Sequence, residues 1–333
     1  MAEASVPTAP AAPPPAQHHA RNPGTELDLG WVRAARVNPS ATARRAATLG
    51  ARRSVKKNHQ AGWLLRAVTC IDLTTLAGDD TPGNVRRLCA KARQPIRQGL
   101  LDELGMGDRG LTTGAVCVYH QLVPVAVEAL QGSGIPVAAV STGFPAGLSP
   151  FETRIAEIEK SVAAGATEID TVITRAHVLR EDWQALYDEV QAMREACGEA
   201  HLKVILATGE LGPIWHVAQA SRVAMMAGAD FIKTSTGKES VNATLEVGLV
   251  MARQIRDYED RTGHVVGFKP AGGIRSAKEA LVWLALMKEE LGDRYLKNDL
   301  FRFGASSLLA DIERQLAHHV SGRYAAAHHI PMG

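Results

Sequence analysis

The chain has 333 residues, 46% of them hydrophobic and 22% charged, which gives it the apolar mass for a large core and more length than an average single domain. Lys and Arg number 37 against 35 Asp and Glu, a formal net charge of +2; that balance excludes a polyanion-binding chain and an acidic solvating one alike. No apolar run approaches the roughly 18–20 residues of a membrane span, and the four cysteines (Cys70, Cys89, Cys117, Cys197) contain no CxxC pair, which excludes a disulfide framework or a cysteine metal site and points to a reducing, cytoplasmic setting. The opening residues lack a charged segment followed by an apolar one, so no secretory signal is expected.

Residues 1–23 are rich in Ala and Pro and almost free of large apolar side chains; too little surface can be buried to offset ordering, and a disordered tail is expected. Residues 24–63 read as a basic helical extension packed outside the main domain. They carry the pairs Arg44-Arg45, Arg52-Arg53 and Lys56-Lys57, with no acid between Trp31 and Gln60. An exposed helical face explains such a run better than a nucleic-acid partner does.

From residue 64 to 318 short apolar runs alternate with segments of helical spacing. The runs are Ala67–Ile71, Ala115–Tyr119, Val137–Val140, Ile169–Ile173, Val204–Leu206, Phe231–Lys233, Val265–Phe268 and Phe301–Gly304. Between the third and fourth, Ile155, Ile158 and Val162 share a helical face. After the seventh, Ser276 and Glu279 form a capping-box pattern ahead of an apolar stripe. Eight strand–helix units predict an α/β fold, a (β/α)8 TIM barrel with an N-terminal extension. An open dinucleotide-binding sheet should carry GxGxxG after its first strand, and this chain does not. Residues 319–333 form a short C-terminal tail.

In such a barrel the active site lies at the C-terminal ends of the strands. Charged residues inside apolar strands then need explaining, because an unpaired buried charge is costly. Four stand out: Asp170 in strand four, Lys203 in strand five, Lys233 in strand six and Lys269 in strand seven. Alternation puts Lys233 on one face with Phe231, and Lys269 with Gly267. If both lysines point inward, neighbouring strands bring two ammonium groups close together. A second cation and partial burial lower a lysine pKa and free the amine for imine formation with a carbonyl. Asp170 would balance charge and relay protons through water. Ion pairs of the lysines with Asp170 or Glu168 that merely stabilise the barrel are the competing account. Spacing does not say which lysine reacts.

The loops after strands seven and eight commonly hold phosphate in this fold. Here they read Pro270-Ala271-Gly272-Gly273-Ile274-Arg275 and Gly304-Ala305-Ser306-Ser307, with Gly237-Lys238 after strand six. Glycines let backbone N–H groups approach anionic oxygens. Asp72, at the end of strand one, is a candidate for binding a substrate hydroxyl, or equally for capping the next turn. The histidine pairs His18-His19, His318-His319 and His328-His329 lie outside the strands and do not converge, so no metal is expected. Cys117 reads as a packed core thiol.

The segments IDLTTL (71–76), AVCVY (115–119), GATEIDTVI (165–173), LKVILATGEL (202–211), GADFIKTSTGK (228–238), GFKPAGGIR (267–275) and FRFGASSLL (301–309) resemble those of the deoxyribose-phosphate aldolase family, in family order, over roughly residues 60 to 323. GTELDL (24–29) and the closing GRYAAAHHIPM resemble its longer, animal-type branch. The resemblance implies a class I aldolase without metal or organic cofactor that reversibly cleaves 2-deoxy-D-ribose 5-phosphate to glyceraldehyde 3-phosphate and acetaldehyde. It implies Lys233 as the imine-forming lysine, Lys269 as the lysine that tunes it, and Asp170 as proton relay. Phosphate-binding positions fall on Gly237, Lys238, Gly272, Gly273, Ile274, Arg275, Gly304, Ser306 and Ser307, while Lys203, counted with Asp72 among the substrate-binding residues, joins the polar network around Asp170.

Two departures stand against the bacterial pattern. Those members end in a tyrosine that helps move a proton, whereas this chain ends in Gly333 with its nearest tyrosine at Tyr324; the carrier stays open between Tyr324 and Asp170 with water. Ala207 replaces an acid before TGEL. The expected partner is a small phosphosugar, not a membrane, and a homo-oligomer is compatible with these features. The alternatives are a Schiff-base aldolase or transaldolase-like enzyme on a related phosphosugar, and a barrel used mainly as an interaction scaffold.

Overall fold

Short β-branched runs and longer amphipathic stretches alternate along the chain. The computed structural model, which describes residues 19–52 and 54–326, turns that alternation into eight parallel strands with helices between them. The strands are β1 (Ile71–Thr74), β2 (Ala115–Tyr119), β3 (Val137–Ser141), β4 (Glu168–Val172), β5 (His201–Ile205), β6 (Phe231–Lys233), β7 (Gly267–Lys269) and β8 (Phe303–Ala305). From β1 to β7 each strand pairs with its sequence neighbours, and β8 pairs with β1; between β7 and β8 only isolated bridges, Phe268 to Phe301 and Ala271 to Gly304, close the ring. This is the TIM barrel that eight strand–helix units predict.

Register decides which side chains meet inside. Asp170 stands opposite Lys203, Lys203 opposite Phe231, and Lys233 opposite Lys269, so these residues share the interior face by strand alternation. The residues between them, among them Ile169, Leu202, Val204, Ile232 and Phe268, are buried in the outer apolar core. Helix ends follow local chemistry as well. The capping box of Ser276 and Glu279 is formed in full at the start of the helix Ala277–Leu291.

The first apolar run is misread as a strand. Ala67, Val68 and Thr69 are the last turn of a helix, and β1 begins only at Ile71. A buried helix end and a buried strand both present a short apolar run, so composition cannot separate them.

Helices α1 (Leu29–Arg33), α2 (Pro39–Arg52) and α3 (Lys57–Thr69) make up the N-terminal extension. The α2 helix lies against the helices Leu245–Thr262 and Ala277–Leu291 on the outside of the barrel. Arg45 pairs there with Glu289 at 2.6 Å and Glu290 at 3.3 Å, so part of the basic run is matched by acids of the barrel.

Residues 19–23 correct the expected tail boundary. Asn22 is buried; its backbone N–H donates to Asp230 Oδ1 at 2.7 Å, and its side-chain Nδ2 donates to the carbonyls of Met225 (2.7 Å) and Ala229 (3.0 Å). Its Oδ1 accepts from the Tyr258 hydroxyl at 3.0 Å. The His19 ring donates to the Asp299 carbonyl and sits 5.4 Å from the Phe231 ring and 5.2 Å from that of His201, centroid to centroid. A count of apolar side chains misses this segment because an amide, not a hydrophobe, anchors it. Asn22→Ala leaves the Tyr258 hydroxyl and the Ala229 carbonyl without their partner and the Met225 carbonyl with only the Gly228 N–H, and is expected to lower stability by about 1–3 kcal/mol, read as a fall in the urea midpoint at unchanged slope. An unchanged midpoint would mean that the segment is not anchored there.

The expectations for residues 1–18, Arg53 and 327–333 lie outside the described residues. Among the described residues no helix is long and apolar enough to cross a membrane.

Candidate active site

Phe231 and Lys269 owe their room in the barrel interior to glycine. A Cβ at position 267 would lie 2.4 Å from the Phe231 ring, and one at position 304 would lie 2.7 Å from Ala271 Cβ and 3.3 Å from Lys269 Cε. The ring of Phe231 therefore fills the lower interior, with His201 and His19 beside it. Lys269 runs upward past Gly304.

Above that floor the expected residues converge. Asp170 Oδ2 accepts from both Lys233 Nζ and Lys269 Nζ, each at 2.7 Å, and Asp170 Oδ1 accepts from Lys203 Nζ at 3.1 Å. Lys203 also donates to Glu168 at 2.5 Å. Asp72 accepts from Lys269 at 2.5 Å and from Arg302 at 2.6 Å.

The environment separates the two lysines that spacing leaves equivalent. Burial pulls the Lys233 ammonium below its ordinary pKa, with the Lys269 charge adding to that and Asp170 opposing it. At Lys269 burial acts the same way, but Asp170 and Asp72 outweigh it and the pKa rises. At Lys203 burial is again outweighed, by Asp170 and Glu168, and the pKa rises. Burial would lift the Asp170 carboxyl, yet Lys203, Lys233 and Lys269 together hold it well below the usual carboxylate range.

Lys233 alone of the three opens into a cleft of about 210 Å³ at the C-terminal ends of the strands. The walls are the three loops that the sequence marks out. Gly237, Lys238, Gly272, Gly273, Ile274, Arg275, Gly304, Ser306 and Ser307 all line it, joined by Thr74, Leu76 and Thr236. Gly272 and Gly273 hold φ of +83° and +86°, where any other residue is strained. Ser307 precedes the helix Leu308–Ser321 and makes no side-chain cap, so that helix presents its N-terminus at the cleft, a favourable place for an anion.

Four assignments change in detail. Asp72 does not line the cleft and its carboxylate caps no turn; both oxygens are taken by Lys269 and Arg302, because it sits one layer below the opening. Lys203 is fully buried in that lower layer and touches acids, not cleft. The Gly237 N–H donates to Glu239 at 3.1 Å, so that group is turned away from an anion in the cleft. The Ile274 side chain is buried, leaving only its backbone for the cleft. Tyr324 stands clear of the cleft residues: it is 83% exposed and stacked on His318 at 4.3 Å after the last helix.

Arg302 is a site residue that sequence reasoning misses. It binds Asp72 and, through Nη2, Glu168 at 2.8 Å, and its signal is an arginine between two phenylalanines of an apolar strand. Glu239 is missed too; its carboxylate takes the N–H groups of Thr236 and Gly237 and the Thr236 hydroxyl. Cys117 packs with Ala138 and Val140, its thiol pushed up by burial.

Fold and cleft together set one buried lysine amine at the open end of a parallel barrel. A family model described as "DeoC/LacD family aldolase" matches residues 66–314. The chain is 64% identical over 311 residues to the deoxyribose-phosphate aldolase of Mus musculus, covering 93% of this chain and 98% of that one. It is 62% identical over 315 residues to that of Bos taurus, covering 94% and 99%. A solved structure of a putative deoxyribose-phosphate aldolase from Toxoplasma gondii shares the fold, with a TM-score of 0.67 at 21% identity over 83% of this chain and 100% of that one. The chain belongs to the DeoC/LacD family of aldolases.

Proposed function

We propose that this aldolase reversibly cleaves 2-deoxy-D-ribose 5-phosphate to D-glyceraldehyde 3-phosphate and acetaldehyde through an imine on Lys233, in the breakdown of deoxyribose phosphates. One observation carries the choice of nucleophile. Of the three buried strand lysines, Lys233 alone reaches the cleft and alone is shifted toward its neutral amine.

The amine adds to C1 of the open-chain sugar and loses water to give the iminium. Cleavage of the C2–C3 bond sends its electrons into that iminium while the C3 hydroxyl gives up its proton. Asp170, held as a carboxylate, takes the proton through water. Glyceraldehyde 3-phosphate leaves, the enamine is protonated at C2, and water releases acetaldehyde. Lys269 stays charged throughout and steadies Asp170. The phosphate rests against the Gly272-Gly273 backbone, the hydroxyls of Ser306 and Ser307 and the start of the last helix, with Lys238 and Arg275 as counter-charges.

Borohydride reduction in the presence of 2-deoxyribose 5-phosphate, followed by peptide mass mapping, tests the reading. An adduct on the Lys233 peptide with release of glyceraldehyde 3-phosphate is expected. An adduct on Lys269 would exchange the lysine roles, and neither adduct nor product would end the reading. The phosphate cradle has its own check. A Cβ at Gly272 would lie 2.6 Å from Asn242, so Gly272→Ala must shift the loop. KM for the phosphorylated sugar should rise about 10- to 100-fold, the worth of one or two charge-assisted hydrogen bonds, while cleavage of unphosphorylated 2-deoxyribose changes little. Equal losses on both sugars would remove the phosphate from that loop. Cys70, Cys89, Cys117 and Cys197 are all buried free thiols, which supports a cytoplasmic setting.

A further inference from the structure

Seven charged side chains close the barrel interior beneath the cleft. Asp72, Glu168 and Asp170 face Lys203, Lys233, Lys269 and Arg302, and none of the seven is more than 3% exposed. They form one connected set: Arg302 bridges Asp72 and Glu168, Glu168 holds Lys203, and Asp170 joins the three lysines. Three negative groups against four positive ones leave the set at +1 when every lysine is protonated. Loss of one proton brings it to zero.

A net charge sealed in a low-dielectric interior is costly, so the set as a whole favours the state with one neutral lysine. Lys203 and Lys269 each hold two carboxylates within 3.1 Å, whereas Lys233 holds only Asp170. Lys233 is the one that can release its proton at least cost. We infer that Arg302 and Glu168, neither of which lines the cleft, are positioning residues of the reaction: Arg302 supplies the surplus positive charge that keeps Lys233 an amine, and Glu168 limits that surplus to one. The inference rests on the Lys233 imine reading and extends it to residues that never touch substrate.

The groups facing Lys233 are drawn from every strand packed against it. They are Asp170 from β4, Lys269 from β7, the neutral Cys117 thiol from β2, and behind them Lys203 from β5, Asp72 from β1, Glu168 from β4 and Arg302 beside β8. The inward residues of β3, Ala138 and Val140, do not titrate.

The test reads the neutral-amine population of Lys233 without relying on the natural substrate. The intact protein is exposed to acetaldehyde and borohydride across pH 5–10, and labelling of the Lys233 peptide is followed by mass spectrometry. Arg302→Met brings the fully protonated set to zero, so labelling should move to higher pH by roughly one unit, the scale of one buried charge. Glu168→Gln should move it the other way. The pair Arg302→Met with Glu168→Gln restores two negative against three positive groups and should return the profile toward that of the wild type. Arg302→Lys should leave the profile in place. A merely structural role for either residue would lower yield or stability without opposite shifts that cancel. Profiles that coincide in all variants, or single shifts of the same sign, would overturn the inference. If Arg302→Met does not fold, the direction of the Glu168→Gln shift decides it alone. Cleavage of 2-deoxyribose 5-phosphate by the wild type is assayed in parallel, so failure of the aldolase reading shows there and not in the labelling profile.

Discussion

Lys233→Arg should lose cleavage by about 10⁴-fold or more, the loss expected when a covalent nucleophile is removed, and should give no borohydride adduct at that position. The substitution is chosen because it keeps the positive charge beside Asp170, while a guanidinium stays protonated and cannot add to a carbonyl. Added length is tolerated because Lys233 lies at the cleft and not in the lower layer. The folded state should therefore survive with its Asp170 pair intact. Circular dichroism and the thermal midpoint give that control. Residual cleavage within a factor of about ten of wild type, against the size of a nucleophile loss, would move the reaction to Lys269.

Asp170→Asn should separate proton transfer from imine formation. The amide keeps the shape but removes the charge that three lysines share within 3.1 Å. Leaving buried cations unmatched is expected to cost about 3–5 kcal/mol of stability. The turnover number should fall by about 10²- to 10⁴-fold, the range of a lost general base. Imine trapping on Lys233 should persist, and at lower pH than in the wild type: Asp170 opposes the lowering of the Lys233 pKa, so its removal moves that pKa further down. A variant that loses turnover and trapping together would make Asp170 a scaffold for the lysine and not a proton carrier.

Much of this site is legible in the order of the amino acids. Polar residues in apolar strands stand out because burial penalises them, and Asp170, Lys203, Lys233 and Lys269 do meet inside the barrel. The loops after β6, β7 and β8 are legible because glycine and hydroxyl residues cluster at strand ends, and all nine expected positions line one cleft. What escapes depends on pairing across the barrel. Arg302 and Asp72 are 230 positions apart, and only closure of the ring puts a guanidinium 2.6 Å from that carboxylate. Nor does a motif disclose that Glu239 reaches back to the N–H of Gly237. The order of the two lysines is illegible for the same reason: their strands are alike, and the difference lies in Asp72, which binds Lys269 and not Lys233.

The filled lower interior of the barrel also sets the order of events. With Phe231, His201 and His19 beneath the charged layer, what reaches Lys233 passes through the cleft, and the loops proposed to hold the phosphate stand across it. On the proposed phosphate site, glyceraldehyde 3-phosphate is expected to depart before water and acetaldehyde exchange past the lysine. Run in reverse, the two-carbon aldehyde has to enter first and become the enamine, because the phosphorylated partner closes the door behind it. The proposed site thus predicts a sequential reaction, in which a high level of the three-carbon phosphate slows the uptake of acetaldehyde.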